Sequence, residues 1–416
     1  MHRISPSGID RVEMAYARRW LDRPEHEATF AAQSLWGWFA ALPRDRVAAL
    51  LDALEEVWEH GAPTGGGLRR AQRIAIALQV GLAHGRGRAA LLRRIRGTRN
   101  PVFLLVSHRA LDRHAPIAAL RRAGARFVPL IHDLIPLTHP EYTRAPQIGR
   151  HAARIATVAE LADGIIVNST ATESTLVRHL LPHGRALPPI AVAPLGIRPL
   201  ARPAADLPTE PYFVCLGTVE PRKNHHLLLH LWRELAVESR DGPRLLLCGR
   251  RGWENENVLD LLERCDALRG LVFEMGSLPD REVTALLAGA RALLFPTFAE
   301  GYGLPLAEAL ALGVPAICSD LPALREVGGD VPDYLAPLDG LGWRRAILDY
   351  ASPDSPARAA QLARLRQWQR PGWDAHFAAV DALLDRVTGA PVRGRRPIPA
   401  REPQLAASAP LGATPA

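Results

Sequence analysis

Lysine is almost absent from this chain: Lys223 stands alone against 50 arginines. Arginine has taken the positions where any positive charge would serve, so a surviving lysine points to a place that wants a compact ammonium. Cysteine is scarce too, with Cys215, Cys248, Cys265 and Cys318 and no Cys-x-x-Cys pair. Three of the four lie in apolar runs that read as buried strands. A disulfide framework and a zinc site are therefore excluded, and a reducing cytoplasm is expected. No apolar run reaches the roughly 18 residues of a membrane helix. Met1 to Trp20 has no apolar signal-peptide core.

Several site motifs are missing as well. No Asp-x-Asp occurs, which argues against a metal-held nucleotide-sugar site of that type. There is no Gly-x4-Gly-Lys-Ser/Thr phosphate loop and no nucleophile elbow. Gly301-x-Gly303 lacks the third glycine of the dinucleotide fingerprint, because residue 306 is Leu.

What is present suits a globular, soluble protein. The chain has 416 residues, 48% of them hydrophobic and 23% charged, a length that predicts two domains. Charge is uneven: residues 1–200 carry 27 arginines against 16 acids, whereas the remainder carries 24 basic residues and 27 acids. Residues 61–130 hold 14 arginines and one acid, Asp112. Either this is a solvated basic face, or it meets an anionic partner: membrane, nucleic acid or phosphorylated substrate.

Periodic Leu, Ala, Ile and Trp predict helix over 10–60 and 69–96. Short apolar runs then alternate with helical stretches. Val102–Val106, Phe127–Ile131, Gly164–Val167 and Ile190–Ala193 read as strands. After a proline-rich linker over 197–210 come Tyr212–Leu216, Leu245–Cys248, Leu271–Glu274, Ala292–Phe295 and Pro315–Ser319. Such alternation builds parallel sheets flanked by helices. The Pro/Ala/Arg-rich segment from about Ala390 reads as disordered.

Open parallel sheets bind ligands beyond the carboxyl ends of their strands, so the loops there are the candidates. One is Gly217-Thr218-Val219-Glu220-Pro221-Arg222-Lys223-Asn224, where two cations beside a helix N-terminus suit a diphosphate. Another runs from Pro296 to Glu308, where Gly301 and Gly303 permit close backbone approach to a ligand. Pro305 suits a first helical turn and Gly313 a helix end. Glu300 and Glu308 could bind hydroxyls at two ends of a long ligand, or serve only as a turn residue and a helix-dipole residue.

The segment Phe-Ala-Glu-Gly-Tyr-Gly-Leu-Pro-Leu-Ala-Glu-Ala-Leu-Ala-Leu-Gly-Val-Pro, with seven residues between Glu300 and Glu308, resembles the signature of retaining glycosyltransferases of family four. Residues 217–224 are similar to that family's phosphate loop. Ile131-His132-Asp133-Leu134-Ile135-Pro136 resembles its N-domain loop, Pro194-Leu195-Gly196-Ile197 its interdomain segment, and Ser7-Gly8-Ile9-Asp10-Arg11-Val12 its first glycine loop. The likeness spans about residues 7–390 and is strongest over 212–330.

The resemblance implies an α/β GT-B fold, two Rossmann-like domains facing across a cleft. The acceptor domain would cover 1–197 and the nucleotide-sugar domain 205–372. A closing helix at 373–388 would pack back toward the first, and the tail would be 390–416. It also implies site roles. Arg222 and Lys223 would bind the donor diphosphate with Gly217 in their loop, and Glu308 the ribose. Glu300 would contact the transferred sugar, with His132 near its anomeric carbon. Gly301, Tyr302, Gly303 and Leu304 would offer backbone amides, and Gly8 would let its loop close over the phosphates. No metal is required.

The motifs lean toward bacterial polysaccharide mannosyltransferases. GDP-mannose is therefore the first donor expected, ahead of UDP- and dTDP-sugars, with a lipid-linked oligosaccharide or polysaccharide as acceptor. The alternatives are a nucleotide-sugar epimerase of the same fold and, from another class, a basic nucleic-acid-binding protein. No nucleic-acid module supports the latter, so no nucleic-acid partner is expected. The family begins with a strand ahead of its first glycine loop, and coding sequence upstream of Met1 is expected to supply it. Arg86, Arg88, Arg93, Arg94, Arg96 and Arg99 border Leu91, Leu92 and Ile95. Residues 69–99 are thus expected to lie on an anionic membrane, peripheral to its inner face.

Overall fold

The computed structural model describes residues 5–61, 66–198, 208, 210–239 and 241–389. The expected strand ahead of Ser5, most of the 197–210 linker and the expected disordered tail lie outside the described residues.

Buried apolar runs make two parallel sheets. The first contains β3 (Val102–Leu105), β4 (Arg126–Ile131), β5 (Ile165–Val167) and β6 (Ile190–Val192), in that order; β1 (Ala31–Gln33) and β2 (Phe39–Ala41) form a separate antiparallel hairpin before it. The second sheet contains β7 (Tyr212–Leu216), β8 (Arg244–Cys248), β9 (Val272–Gly276), β10 (Leu293–Phe295), β11 (Ala316–Ser319) and β12 (Asp333–Leu335). Its spatial order is β12-β11-β10-β7-β8-β9, so the winding reverses between β7 and β10, which pair through Val214 and Leu293. The loops leaving those two strands diverge from a shared edge and open a crevice between them.

Helix does not run unbroken over 10–60. The helices Gly8–Leu21 and Arg44–His60 are separated by the β1–β2 hairpin. The apolar stripe expected to face lipid is also placed differently. In the helix Arg88–Gly97, Leu91 and Ile95 are buried in a core with Phe39, Leu105 and Phe127, and Leu92 packs against it. The hairpin is the apolar partner that takes this stripe from solvent. Among the described residues no helix is long and apolar enough to cross a membrane.

One core cluster runs through both sheets. It joins Val128, Leu130 and Ile166 to Val214, Leu246 and Leu293, and takes in Phe377, Val380 and Leu383 from the helix Trp373–Thr388. That helix lies against β6 of the first sheet. His376 fixes it there: its Nδ1 sits 2.9 Å from the Ala193 carbonyl and its Nε2 2.8 Å from the Tyr16 hydroxyl.

Burial pushes His376 down to about 4, against the pull of the Ala193 and Pro194 carbonyls. His225 is likewise pushed to about 4 by burial, with Lys223 adding to it. Both are neutral in the fold, whereas the unfolded chain takes up their protons below about pH 6.5. The unfolded state therefore binds more protons between pH 6.5 and 4, and stability falls as pH falls through that window. Each histidine contributes a loss on the order of 3 kcal/mol by pH 4. Urea midpoints measured from pH 7 to 4.5 should fall steeply, and less steeply in His376→Gln. Equal slopes in the two proteins would remove His376 from this account.

Candidate active site

The loop after β7 turns at Gly217, whose φ of 146° is outside the range favoured by other residues. A Cβ there would lie 3.3 Å from Lys223 Cε. Pro221–Lys223 form a short 3-10 turn, and Asn224, with φ 56°, leads into the helix His225–Glu238. Asn224 Nδ2 donates to the carbonyls of Pro296, at 3.1 Å, and Pro337, at 2.9 Å. The Arg222 carbonyl accepts from the Phe298 amide at 2.9 Å and from Thr297 Oγ1 at 3.1 Å. The two loops at the winding reversal are thus stitched together.

This stitching brings four charges to one place. Arg222 donates through Nη1 to Glu300 Oε1 at 2.7 Å and through Nη2 to Glu220 Oε1 at 2.6 Å. Lys223 Nζ donates to the same Glu300 oxygen and lies 4.6 Å from the centre of the Phe295 ring. All four groups are largely removed from solvent. Burial pushes the Glu300 carboxyl up, but Arg222 and Lys223 outweigh it and hold it below the usual carboxylate range. Burial draws the Lys223 ammonium below its ordinary value even with Glu300 beside it.

Beyond Glu300 the chain crosses to the first sheet. The Gly301 carbonyl accepts from Ser169 Oγ at 2.8 Å and Thr172 Oγ1 at 3.2 Å, and the buried Tyr302 hydroxyl donates to the Leu195 carbonyl at 2.7 Å. Gly303, with φ 105°, opens the helix Leu304–Ala311, which has Pro305 in its first turn and is followed by Gly313 at φ 76°. Glu308 lies one turn inside. Arg11 Nε is 3.8 Å from Glu308, and the same guanidinium makes two 2.7 Å bonds to Asp280. Burial pushes the Glu308 carboxyl up, against the pull of Arg11, and Asp280 adds to the push.

His132, buried at the end of β4, places Nε2 2.9 Å from the Val106 carbonyl. Its backbone amide donates to His108 Nε2 at 3.2 Å, and burial lowers both imidazoles. Gly8 is not in a loop. It is the first residue of Gly8–Leu21, capped by Ser7, whose Oγ accepts from the Asp10 amide at 3.3 Å while Asp10 Oδ2 accepts from the Ser7 amide at 2.9 Å. A Cβ on Gly8 would come within 3.1 Å of Leu304.

A cleft of about 940 Å³ lies between the sheets, bounded by Gly8, His132, Lys223, Gly303 and Glu308 among others. All eleven site residues singled out from the sequence line it: Gly217, Arg222, Glu300, Gly301, Tyr302 and Leu304 complete the set. Sequence reasoning missed Arg11 and Asp280 as a pair, and Ser169 and Thr172 as holders of Gly301. It also missed Glu326, which accepts from the amides of Thr170 and Ala171 at 2.7 Å each. Asn168, buried on the cleft wall, donates to the His132 carbonyl at 2.9 Å while its Oδ1 has no hydrogen-bond partner. Only Ser169 had a local signal, as the serine whose side chain caps the helix Thr170–Leu180; the rest join residues far apart in sequence.

Comparison with known proteins extends this picture. Residues 198–331 match the family model for glycosyl transferases group 1. O-antigen chain mannosyltransferase B of Escherichia coli is 31% identical over 270 residues, 63% of this chain and 70% of that protein. The serotype-specific mannosyltransferase WbdA of Escherichia coli is 27% identical over 249 residues, 56% of this chain but 30% of that longer protein. Among solved structures, Anabaena HepE in complex with UDP-glucose superposes with a TM-score of 0.55 at 14% identity, covering 74% of this chain and 84% of that one. Sucrose-phosphate synthase from Thermosynechococcus elongatus gives 0.53 at 20% identity, covering 73% and 80%. These two share the GT-B fold. With a sequence relative matched over most of its length and two parallel sheets closing on a cleft, the chain belongs to the group 1 glycosyltransferases, the retaining family four of GT-B fold, and is a hexosyltransferase.

Proposed function

We propose that the enzyme moves mannose from GDP-mannose to a lipid-linked oligosaccharide or polysaccharide, with the cleft between the sheets as its active site. The observation that carries this reading is the convergence of Arg222 and Lys223 on Glu300 at the winding reversal of the second sheet. Mannose is favoured because the curated relatives are named as mannosyltransferases.

The donor diphosphate lies against Arg222 and Lys223. In the structure these cations are matched by Glu220 and Glu300. An arriving diphosphate competes with Glu300 for Lys223 and turns the carboxylate toward the sugar. The ribose hydroxyls go to Glu308, which requires Arg11 to give way or to share it. The amides at the start of the Leu304–Ala311 helix face the sugar and phosphate. As the bond from the anomeric carbon to the phosphate oxygen breaks, positive charge builds on the sugar and negative charge on the diphosphate, where the two cations stabilise it. The acceptor oxygen bonds to the anomeric carbon, and its proton passes to the departing phosphate oxygen. His132, neutral and tied to Val106, fixes the opposite wall.

Thermal-shift titration tests the donor. GDP and GDP-mannose at about a hundred times their dissociation constants should add roughly 2.7 kcal/mol to native stability, with UDP- and dTDP-sugars adding less. Glu308→Gln should weaken both free nucleotide and sugar nucleotide by about tenfold, the value of one charge-assisted bond. A variant that binds GDP as the parent does would take the ribose away from Glu308. Product analysis separates transfer from epimerisation: the epimerase reading needs an altered sugar nucleotide without acceptor.

A further inference from the structure

The structure buries the Leu91–Ile95 stripe but exposes another apolar group on the same domain. The turn between β1 and β2 carries Leu35 and Trp36, 81% and 70% exposed, and the helix Gly66–Ala83 carries Ile76 and Val80, 60% and 51% exposed. Trp36 Nε1 donates to the Ala83 carbonyl at 3.2 Å, which pins the hairpin turn to the end of that helix, one turn beyond Val80. Along the helix, exposed Arg73, Ile76 and Val80 follow at i, i+3 and i+7 and so share a face. Cations lead into an apolar crest that ends at an exposed indole.

The helix and the segment that follows it carry charge of one sign. Residues 66–99 contain nine arginines and no acid. On the neighbouring Arg44–His60 helix, Asp52 and Glu55 are paired with Arg18, Glu55 also with Arg198, and Asp45 lies near Arg46, while Glu56 and Glu59 are exposed, so the nine arginines still outnumber the acids beside them. We infer that the β1–β2 turn and the exposed face of Gly66–Ala83 dock the enzyme on an anionic bilayer, with Leu35, Trp36, Ile76 and Val80 entering the headgroup region and the arginines meeting lipid phosphates. The inference rests on the proposal of a lipid-carried acceptor. An indole suits this depth because its ring is apolar while its N–H stays hydrogen-bonded. Three aliphatic side chains beside it favour lipid over nucleic acid, whose phosphates reward the arginines but leave Leu35, Ile76 and Val80 in water.

Vesicle co-sedimentation of the full chain decides the matter, using phosphatidylglycerol–phosphatidylcholine vesicles and phosphatidylcholine alone. Binding should require the anionic lipid and decline with salt. It should fall by about tenfold or more in Trp36→Ser with Val80→Ser, and again in Arg70→Glu with Arg73→Glu. GDP thermal shifts should hold in both variants, since all four residues are exposed and none lines the cleft, and the melting temperature should hold in Arg70→Glu with Arg73→Glu. Equal binding to both vesicle types, none to either, or full binding by the Trp36→Ser/Val80→Ser protein would overturn the inference. So would a self-associated parent that becomes monomeric in that variant, or nucleic-acid binding lost in parallel with vesicle binding. The two readings fail separately: GDP shifts without vesicle binding remove only the docking surface, and vesicle binding without GDP shifts removes only the donor assignment.

Discussion

Glu300→Gln is expected to cut sugar transfer by a factor on the order of 10² to 10³ while leaving GDP affinity equal to or above that of the parent. Two effects separate in this variant. Glutamine keeps the size of the side chain and an oxygen for Arg222 and Lys223, but removes the charge that competes with a diphosphate for them. Nucleotide binding therefore has nothing to lose. Transfer does, because the negative charge expected to face the developing oxocarbenium is gone. Removing one partner from a buried ion pair also destabilises, by about 3 to 5 kcal/mol when nothing compensates. The amide and Glu220 soften that cost here, so the fold should survive. Lys223→Ala gives the opposite pattern, with GDP affinity reduced by about tenfold or more. Parent-like turnover in Glu300→Gln, or parent-like GDP affinity in Lys223→Ala, would dissolve the proposed roles.

Gly301→Ala should be nearly as damaging to transfer, by a different route. A Cβ at this position would sit 2.3 Å from the His132 carbonyl oxygen and 2.8 Å from Asp133 Cβ. Backbone cannot swing aside as a side-chain tip does, so the loops of the two sheets must separate. Separation breaks the Ser169 and Thr172 bonds to the Gly301 carbonyl and moves Glu300, the adjacent residue, relative to His132. Misplacement of about 1 Å at a reacting centre costs on the order of 10²-fold in rate, and overpacking of this kind costs about 1 to 3 kcal/mol of stability. Hydrogen exchange at residues 169–172 should quicken in the variant. Unchanged exchange with unchanged turnover would show that the loops absorb the methyl.

The second sheet was largely legible because its strands are strongly apolar and buried. Tyr212–Leu216 and Leu245–Cys248 stand out between polar stretches, and the structure places them as β7 and β8. What escaped was short or ambiguous. β1 reads Ala-Ala-Gln and β2 reads Phe-Ala-Ala, three residues each, too brief for alternation to show against alanine's preference for helix. β12, the three-residue edge strand Asp-Tyr-Leu, escaped because it is too short to show alternation. Over Ser7–Asp10 the glycine suggested a loop, although serine followed three residues later by an acid is equally a helix-capping pattern, and capping won. The Leu91–Ile95 stripe was seen, but periodicity marks a face without naming what covers it. In the site, the spacing of Arg222, Lys223, Glu300 and Glu308 carried the family pattern, whereas Arg11 and Asp280 are 269 residues apart and only the folded chain brings them together.

The helix Trp373–Thr388 also governs how this enzyme can be recombined with its relatives. It follows the second sheet in sequence, yet Gly196 lies so close to Trp373 that a Cβ would come within 2.4 Å of its backbone nitrogen, and Arg19 pairs with Asp381. A chimera that exchanged everything after residue 198 would hand the first domain a foreign helix across this fitted surface. Crossovers at the interdomain segment and again before Trp373 would leave the native helix with its host. Such a two-cut exchange transplants the second sheet and its helices alone, and under the proposed donor site it is the design by which sugar preference could be moved between these enzymes.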